Sequence, residues 1–128
     1  MNVAITGASG FIGRALAAKL AAEGHTTRGV SARSRIAPAA LGGCDAVVHL
    51  AGEPVARRWT ASAKERIRAS RVEGTRYVVQ AIAGMDKKPS VLVSASAVGF
   101  YGSRGDEILT EQSPAATDFL GDVSEDNA

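Results

Sequence analysis

Val3-Ala4-Ile5-Thr6-Gly7-Ala8-Ser9-Gly10-Phe11-Ile12-Gly13 is the stretch on which the rest of the chain turns. Val3 to Ile5 is a short apolar run that stops at Thr6-Gly7, as a strand buried on both faces does. From Phe11 the period changes. Phe11, Ile12, Ala15, Leu16, Lys19 and Leu20 recur at helical spacing, Ala17, Ala18, Ala21 and Ala22 raise helix propensity, and Gly24 supplies a stop. The three glycines between strand and helix have separate tasks. Gly7 allows the tight turn, Gly10 lets backbone approach a phosphate where a Cβ would intervene, and Gly13 lets the helix lie close to the strand. Amide N–H groups at this helix start, helped by its dipole, then face an anion. A dinucleotide pyrophosphate is the ligand that strand, glycine turn and helix together predict; the alternative is a glycine-rich turn with no ligand.

Outward from this unit, Thr26 to Val30 offers a second strand, weakened by Arg28 and Gly29 and followed by a polar, proline-containing segment over 31–43. Ala46-Val47-Val48-His49-Leu50 is a clearer strand, ending in Ala51-Gly52. The spacing of Ile67, Val72, Val78, Val79 and Ile82 predicts a long helix over 62–83, and Pro89 resets the chain. Val91-Leu92-Val93 then reads as another buried strand, ending at Ser94. The order β-α-β-β-α-β predicts a Rossmann-type, doubly wound α/β domain with a parallel sheet, covering residues 1–128 with an irregular tail over 118–128.

Composition narrows the function classes. The chain has 128 residues, 45% hydrophobic and 22% charged, with 14 glycines and few aromatics, which suits one domain of closely packed helices and strands. Fifteen basic against thirteen acidic residues leave a net charge of +2, too small to argue for nucleic acid or an acidic membrane surface. One cysteine, Cys44, excludes an internal disulfide and agrees with a reducing compartment. No basic residues precede the apolar run near Met1, so it does not read as a signal peptide, and no run of about 18 apolar residues predicts a membrane span. A cytoplasmic location is the expectation. His25, His49 and Cys44 fall at no metal-ligand spacing, so no metal is expected, and His49 reads as a satisfied structural histidine within its strand.

Taken with its flanks, Thr6-Gly7-Ala8-Ser9-Gly10-Phe11-Ile12-Gly13 resembles the short-chain dehydrogenase/reductase superfamily in its extended and atypical branches. His49-Leu50-Ala51-Gly52-Glu53-Pro54, Arg58-Trp59, Ser70-Arg71, the run from Ser94 to Gly102 and the run from Glu107 to Pro114 narrow the resemblance to an epimerase/dehydratase-like, nucleotide-sugar-epimerase-like subgroup of oxidoreductases. The resemblance covers nearly the whole chain, and members run to about twice this length, a cofactor half plus a substrate half. It implies that Gly7, Ala8, Ser9, Gly10, Phe11, Ile12 and Gly13 wrap the pyrophosphate and adenosine ribose, that Leu50, Ala51 and Gly52 pass beneath the nicotinamide side, and that Ser94 and Ala95 flank the nicotinamide. It places Ser96 where related enzymes keep a hydroxyl that bonds the reacting substrate oxygen, a task suited to a group that both donates and accepts. The other reading of Ser94 and Ser96 is that small hydroxyl residues end a buried strand.

Cofactor choice turns on the end of the second strand, where an acid binds the ribose of NAD and an arginine accommodates the 2′-phosphate of NADP. Ser31-Ala32-Arg33-Ser34-Arg35 has no acid, so Arg33, with Arg35 assisting, is the candidate phosphate contact and NADP is expected over NAD; the alternative is two solvated loop arginines. Glu53, just past the third apolar strand, is a candidate substrate contact. Lys64, Glu65, Arg66, Arg68 and Arg71 read as a solvated helix face from which Arg71 reaches toward an anionic substrate.

Three departures from the resemblance shape what to expect of the chain. Only about fourteen residues, Ser31 to Cys44, join the second strand to the Asp45 strand, where such folds fit a helix and a further strand. The expected sheet is therefore truncated, with strand order 2-1-4-5, and its two open edges favour a homo-oligomer or a partner. The superfamily's Tyr, followed four residues later by Lys, is missing from residues 118–124, which leaves Tyr101 as the nearby phenol: a substitute acid or a loop aromatic. The substrate lobe is also missing, as in a fragment of a longer protein or a reduced gene product. An NAD(P)-dependent oxidoreductase or epimerase acting on a hydroxyl-bearing, sugar-nucleotide-like small molecule is one expectation, and a cofactor-binding module without chemistry is the other.

Overall fold

A computed structural model describes residues 1–127 and divides into two compact units, Met1–Ala95 and the residues from Ser96 onward. The first unit carries β1 (Asn2–Thr6), α1 (Phe11–Ala22), β2 (Thr26–Val30), a short 3-10 turn (Pro38–Leu41), β3 (Ala46–His49), α2 (Ala61–Ala83) and β4 (Val91–Ser94). All strand pairs are parallel, and the sheet order is β2-β1-β3-β4. When a place is kept in the numbering for the strand absent between β2 and β3, this is the 2-1-4-5 order expected from the sequence.

Side-chain alternation along the strands decides which helix each residue meets. Val3, Ile5 and Ala46 point to one face, where Leu16, Ala17 and Leu20 of α1 cover them. Ala4 and Val47 point to the other, into a cluster with Val78 and Ala81 of α2. One helix therefore lies on each face of the sheet, as a doubly wound fold requires. Between β2 and β3 the described residues hold no strand. Ala32, Ile36, Leu41 and Cys44 instead turn inward and complete the α2-side cluster, with Leu41 fully buried. The guanidinium of Arg28 on β2 donates to the Gly42 carbonyl and to Cys44 Sγ, both at 2.8 Å, and so ties this short connection to the sheet edge.

Two expectations need correcting. Val91, Leu92 and Val93 form a strand, but they are 47%, 40% and 51% exposed rather than buried, because β4 is the edge of the sheet and neither of its faces is fully covered. Residues 118–128 are not an irregular tail, since Phe119–Asp126 is the helix α3 of the second unit, and Ala128 lies outside the described residues. Asp118 Oδ1 accepts from the Gly121 amide at 2.8 Å and caps α3. A Cβ on Gly121 would stand 2.2 Å from the Ala116 carbonyl oxygen, so only glycine fits where the loop crosses the helix. The second unit also holds a 3-10 turn at Val98–Tyr101, in which the Phe100 and Tyr101 rings meet edge to face, 5.0 Å apart. Among the described residues no helix is long and apolar enough to cross a membrane, and no group of three or more His, Cys, Asp or Glu is placed to hold a metal.

Candidate functional site

The glycine turn is built by contacts that only glycine permits. Gly7 has φ +71°, and a Cβ on it would lie 2.9 Å from the Ala51 amide nitrogen and from the Leu50 carbonyl carbon. The turn after β1 thus sits directly on the segment that leaves β3. A Cβ on Gly13 would lie 2.2 Å from the Gly7 oxygen and 2.7 Å from Ala8 Cα, so α1 approaches the turn backbone to backbone. Gly10 differs, because its Cβ would meet within 4 Å only the Gly7 oxygen, at 3.1 Å. Gly10 is also the helix N-cap, in extended conformation, and it offers no side chain to the first amides. No acidic residue stands in the first turn of α1. The positive end of this helix is therefore open to an outside anion rather than neutralised from within.

Beside the turn, a buried polar pair fixes the exit of β3. Thr6 and His49 are register partners on β1 and β3, and both are buried. Thr6 Oγ1 has two lone pairs and one hydrogen. The Leu50 and Ala51 amides both reach it at 3.2 Å, so its hydrogen goes to His49 Nδ1 at 2.6 Å. Nδ1 is accordingly the unprotonated nitrogen of a neutral ring. Burial acts in the same direction, pushing the His49 pKa below its ordinary value. His49 is thus the structural histidine the sequence predicts, and Thr6 is a site residue that the sequence did not single out.

Gly7 to Gly10, the segment Gly29 to Arg33, Leu50 to Pro54 and one face of α2 enclose a cleft of about 920 Å³ within the first unit. Its size falls in the range of small-molecule sites. Of the residues expected in a site, the cleft brings together Gly7, Ala8, Ser9, Gly10, Arg33, Leu50, Ala51, Gly52 and Glu53. Gly13 is buried beneath the turn and shapes it, while Phe11, 90% exposed, and Ile12 stand outside the lining. Arg35 is exposed and also lies outside it. Ser94 is in register with His49, and the Ala95 amide donates to the His49 carbonyl at 3.0 Å, which carries this strand end alongside that of β3. Ser96 and Tyr101 belong to the second unit, where Ser96 is exposed and Tyr101 half-buried.

The α2 wall is the part that sequence reasoning missed. Arg66, Ala69, Ser70, Glu73 and Tyr77 line the cleft. Their spacing of three and four marks a single helix face, a signal present in the sequence but hidden among residues that read as solvated. Ser70 Oγ accepts from the Glu53 amide at 2.9 Å. Arg71 does not reach outward. Its Nη1 donates to the Glu53 carbonyl at 3.0 Å, and its guanidinium lies where a Cβ on Gly52 would be 3.2 Å from Cζ. Burial lowers the Arg71 pKa, and the Glu53 carboxylate opposes that shift. The Glu53 carboxylate pairs with Arg57 and lies 3.8 Å from Arg66 Nε. Three guanidinium groups around one carboxylate leave this end of the cleft net positive, which favours an anionic ligand.

The sequence model of the NAD dependent epimerase/dehydratase family matches residues 3–120. The "Epimerase family protein SDR39U1 homolog, chloroplastic" of Arabidopsis thaliana is 38% identical over 145 residues, which take in 96% of this chain and 42% of that protein. Since that alignment is longer than the 128-residue chain, the Arabidopsis protein carries residues inside the matched stretch that this chain lacks. Epimerase family protein YfhF of Bacillus subtilis is 35% identical over 138 residues, 94% of this chain and 46% of its own length. The crystal structure of human epimerase family protein SDR39U1 (isoform 2) with NADPH superposes with a TM-score of 0.86 at 32% identity, covering 99% of this chain and 47% of that one. A nucleoside-diphosphate sugar epimerase from Corynebacterium glutamicum superposes with a TM-score of 0.83 at 41% identity, over 99% of this chain and 29% of that one. The chain thus spans less than half the length of each of these relatives.

Proposed function

We propose, from the premise that this chain belongs to the NAD dependent epimerase/dehydratase family, that it binds NADP(H) in the cleft and contributes to oxidoreductase or epimerase chemistry on a hydroxyl- or carbonyl-bearing, sugar-nucleotide-like substrate. One observation carries this function. The mouth of α1 is a cradle that a side chain at Gly10 would narrow, with no capping side chain and no acid in the first helical turn. The residues present fit a pyrophosphate.

In this assignment the backbone from Gly7 to Gly13 holds the pyrophosphate and adenosine ribose, and Arg33 forks onto the 2′-phosphate that distinguishes NADP from NAD. Leu50, Ala51 and Gly52 support the nicotinamide side, held in place by Thr6 Oγ1 and Arg71. Ser94 and Ala95 flank it from the neighbouring strand. When bound, the nicotinamide supplies or accepts the hydride. Ser96 polarises the reacting substrate oxygen, Tyr101 is the nearby phenol for its proton, and Glu53, steered by Arg57 and Arg66, faces the substrate. A cytoplasmic setting and association of copies through the open β2 and β4 edges complete the proposal, and sedimentation velocity reads the association.

Fluorescence titration of the 128-residue chain with NADPH and NADH tests the binding, with saturable binding that favours NADPH expected and no binding of either as the overturning result. An assay of NADPH oxidation against carbonyl compounds and nucleotide sugars then tests the chemistry. Turnover abolished by Ser96→Ala with NADPH binding retained supports the enzyme. A second function, a nucleotide-binding module without chemistry, is favoured by residues 118–124, which form a capped helix without tyrosine or lysine. Binding without turnover by any substrate identifies that module.

A further inference from the structure

We infer that the adenine base of the cofactor is received by α2, with the Glu73 carboxylate accepting a hydrogen bond from its exocyclic amine and Tyr77 forming the wall beside it. This rests on NADP(H) binding as proposed above, and it assigns to two helix residues a role that follows from the short path between β2 and β3.

The connection from Ser31 to Asp45 contains a single 3-10 turn, Pro38–Leu41, and is pinned to the core by Ala32, Ile36, Leu41 and Cys44. With no helix or strand in between, α2 comes directly against the end of β2. A Cβ on Gly74 would lie 3.6 Å from the Ala32 carbonyl oxygen and 3.9 Å from Ala32 Cβ, and Tyr77 packs on the cluster that contains Ala32. The wall of the cleft facing Ser31 to Arg33 is therefore the α2 face that carries Ser70, Glu73 and Tyr77.

Covalent connectivity of a dinucleotide does the rest. With the pyrophosphate at the mouth of α1 and the ribose at the end of β2, the base extends beyond the ribose onto whatever stands past that strand end. Here that is α2. An adenine edge presents an amine donor beside ring-nitrogen acceptors. An ionised carboxylate only accepts, so it matches the amine and repels a carbonyl oxygen in the same position. Arg76 Nη1 holds Glu73 Oε1 at 2.7 Å, which orients the carboxylate and leaves Oε2 for the base.

The test compares NADPH with its hypoxanthine analogue, in which a carbonyl replaces the exocyclic amine, by fluorescence titration of the wild-type chain and of Glu73→Gln. A hydrogen bond from a neutral donor to a carboxylate predicts that the wild type binds NADPH about tenfold more tightly than the analogue. Glutamine can turn its amide to accept from the amine or donate to the carbonyl, so in Glu73→Gln the ratio falls to about one. Among the described residues Glu73 pairs along the helix surface with Arg76, and circular dichroism melts confirm that the variant is folded. An unchanged ratio in Glu73→Gln, or equal affinity of the wild type for both nucleotides, overturns the assignment to α2 while NADPH binding itself stands. Failure of the wild type to bind either nucleotide overturns the proposed function and this inference with it.

Discussion

Thr6→Val removes one hydroxyl and nearly preserves the shape of the side chain, which makes it a clean probe of the polar pair under the cleft. In the native chain Oγ1 serves three partners, His49 Nδ1 at 2.6 Å and the Leu50 and Ala51 amides at 3.2 Å. The Leu50 amide keeps a second acceptor, the Thr6 carbonyl at 3.2 Å. Two groups are then left without a partner, His49 Nδ1 and the Ala51 N–H. A buried polar group stripped of its partner costs about 1–3 kcal/mol. Ala51 is only half-buried, so water can recover part of its share, whereas His49 is buried and cannot. The expected loss is about 2–3 kcal/mol, a sizeable fraction of the roughly 5–15 kcal/mol that holds a domain folded.

Urea unfolding followed by circular dichroism measures this loss, and NADPH titration shows whether the Leu50–Gly52 segment has moved. Thr6→Ser supplies the contrast. It keeps the hydroxyl and deletes one buried methyl, at about 1 kcal/mol. Hydrogen bonding therefore ranks the variants Thr, Ser, Val in both stability and NADPH affinity, while apolar packing alone ranks Val above Ser. A Val variant more stable than the Ser variant, with undiminished NADPH binding, would refute the positioning role given to Thr6.

Gly13→Ala places a methyl 2.2 Å from the Gly7 oxygen, well inside contact distance, so the expected overpacking loss of about 2–3 kcal/mol outweighs the roughly 1 kcal/mol that alanine gains in a helix; a lowered urea midpoint and lost NADPH binding check it. Arg33→Ser lowers NADPH affinity about tenfold or more and leaves NADH affinity unchanged, read by paired fluorescence titrations. Because burial holds the His49 pKa below its unfolded value near 6.5, the unfolded chain binds the proton first as pH falls; the stabilisation is complete above about 6.5 and is lost downward through the folded pKa, with a slope of up to about 1.4 kcal/mol per pH unit, seen in urea midpoints from pH 8 to 5.5 and reduced in His49→Asn.

What could be read from the sequence was local. Gly7, Gly10 and Gly13 lie within two turns of chain, and the contacts that demand glycine at 7 and 13 involve the turn itself and the strand end beside it. A spacing rule captures such a unit. The α3 helix was local too. Asp118, with Gly121 three residues on and Phe119 and Val123 one turn apart, carries a cap and an apolar stripe, but the acidic run after it resembles a loop. Val91 to Val93 shows the opposite limit, because an apolar strand reads alike whether or not anything covers it, and cover depends on residues elsewhere in the chain. The Thr6–His49 bond requires that β1 and β3 be neighbours in register, which no window of sequence contains.

The two ends of the cleft accordingly answer to different parts of the chain. In the proposed assignment the pyrophosphate end is set by a short turn whose glycines exclude other residues sterically, so changes there are expected to weaken every dinucleotide alike. The base end, as inferred, is set by how closely α2 approaches Ala32 beside the packed connection through Ile36 and Leu41. Under the proposed assignment, discrimination between nucleotides therefore belongs to Arg33 and Glu73, and affinity for nucleotides as a class to Gly7, Gly10 and Gly13. A variant at Gly10 that altered the NADPH to hypoxanthine-analogue ratio without weakening both would contradict that separation.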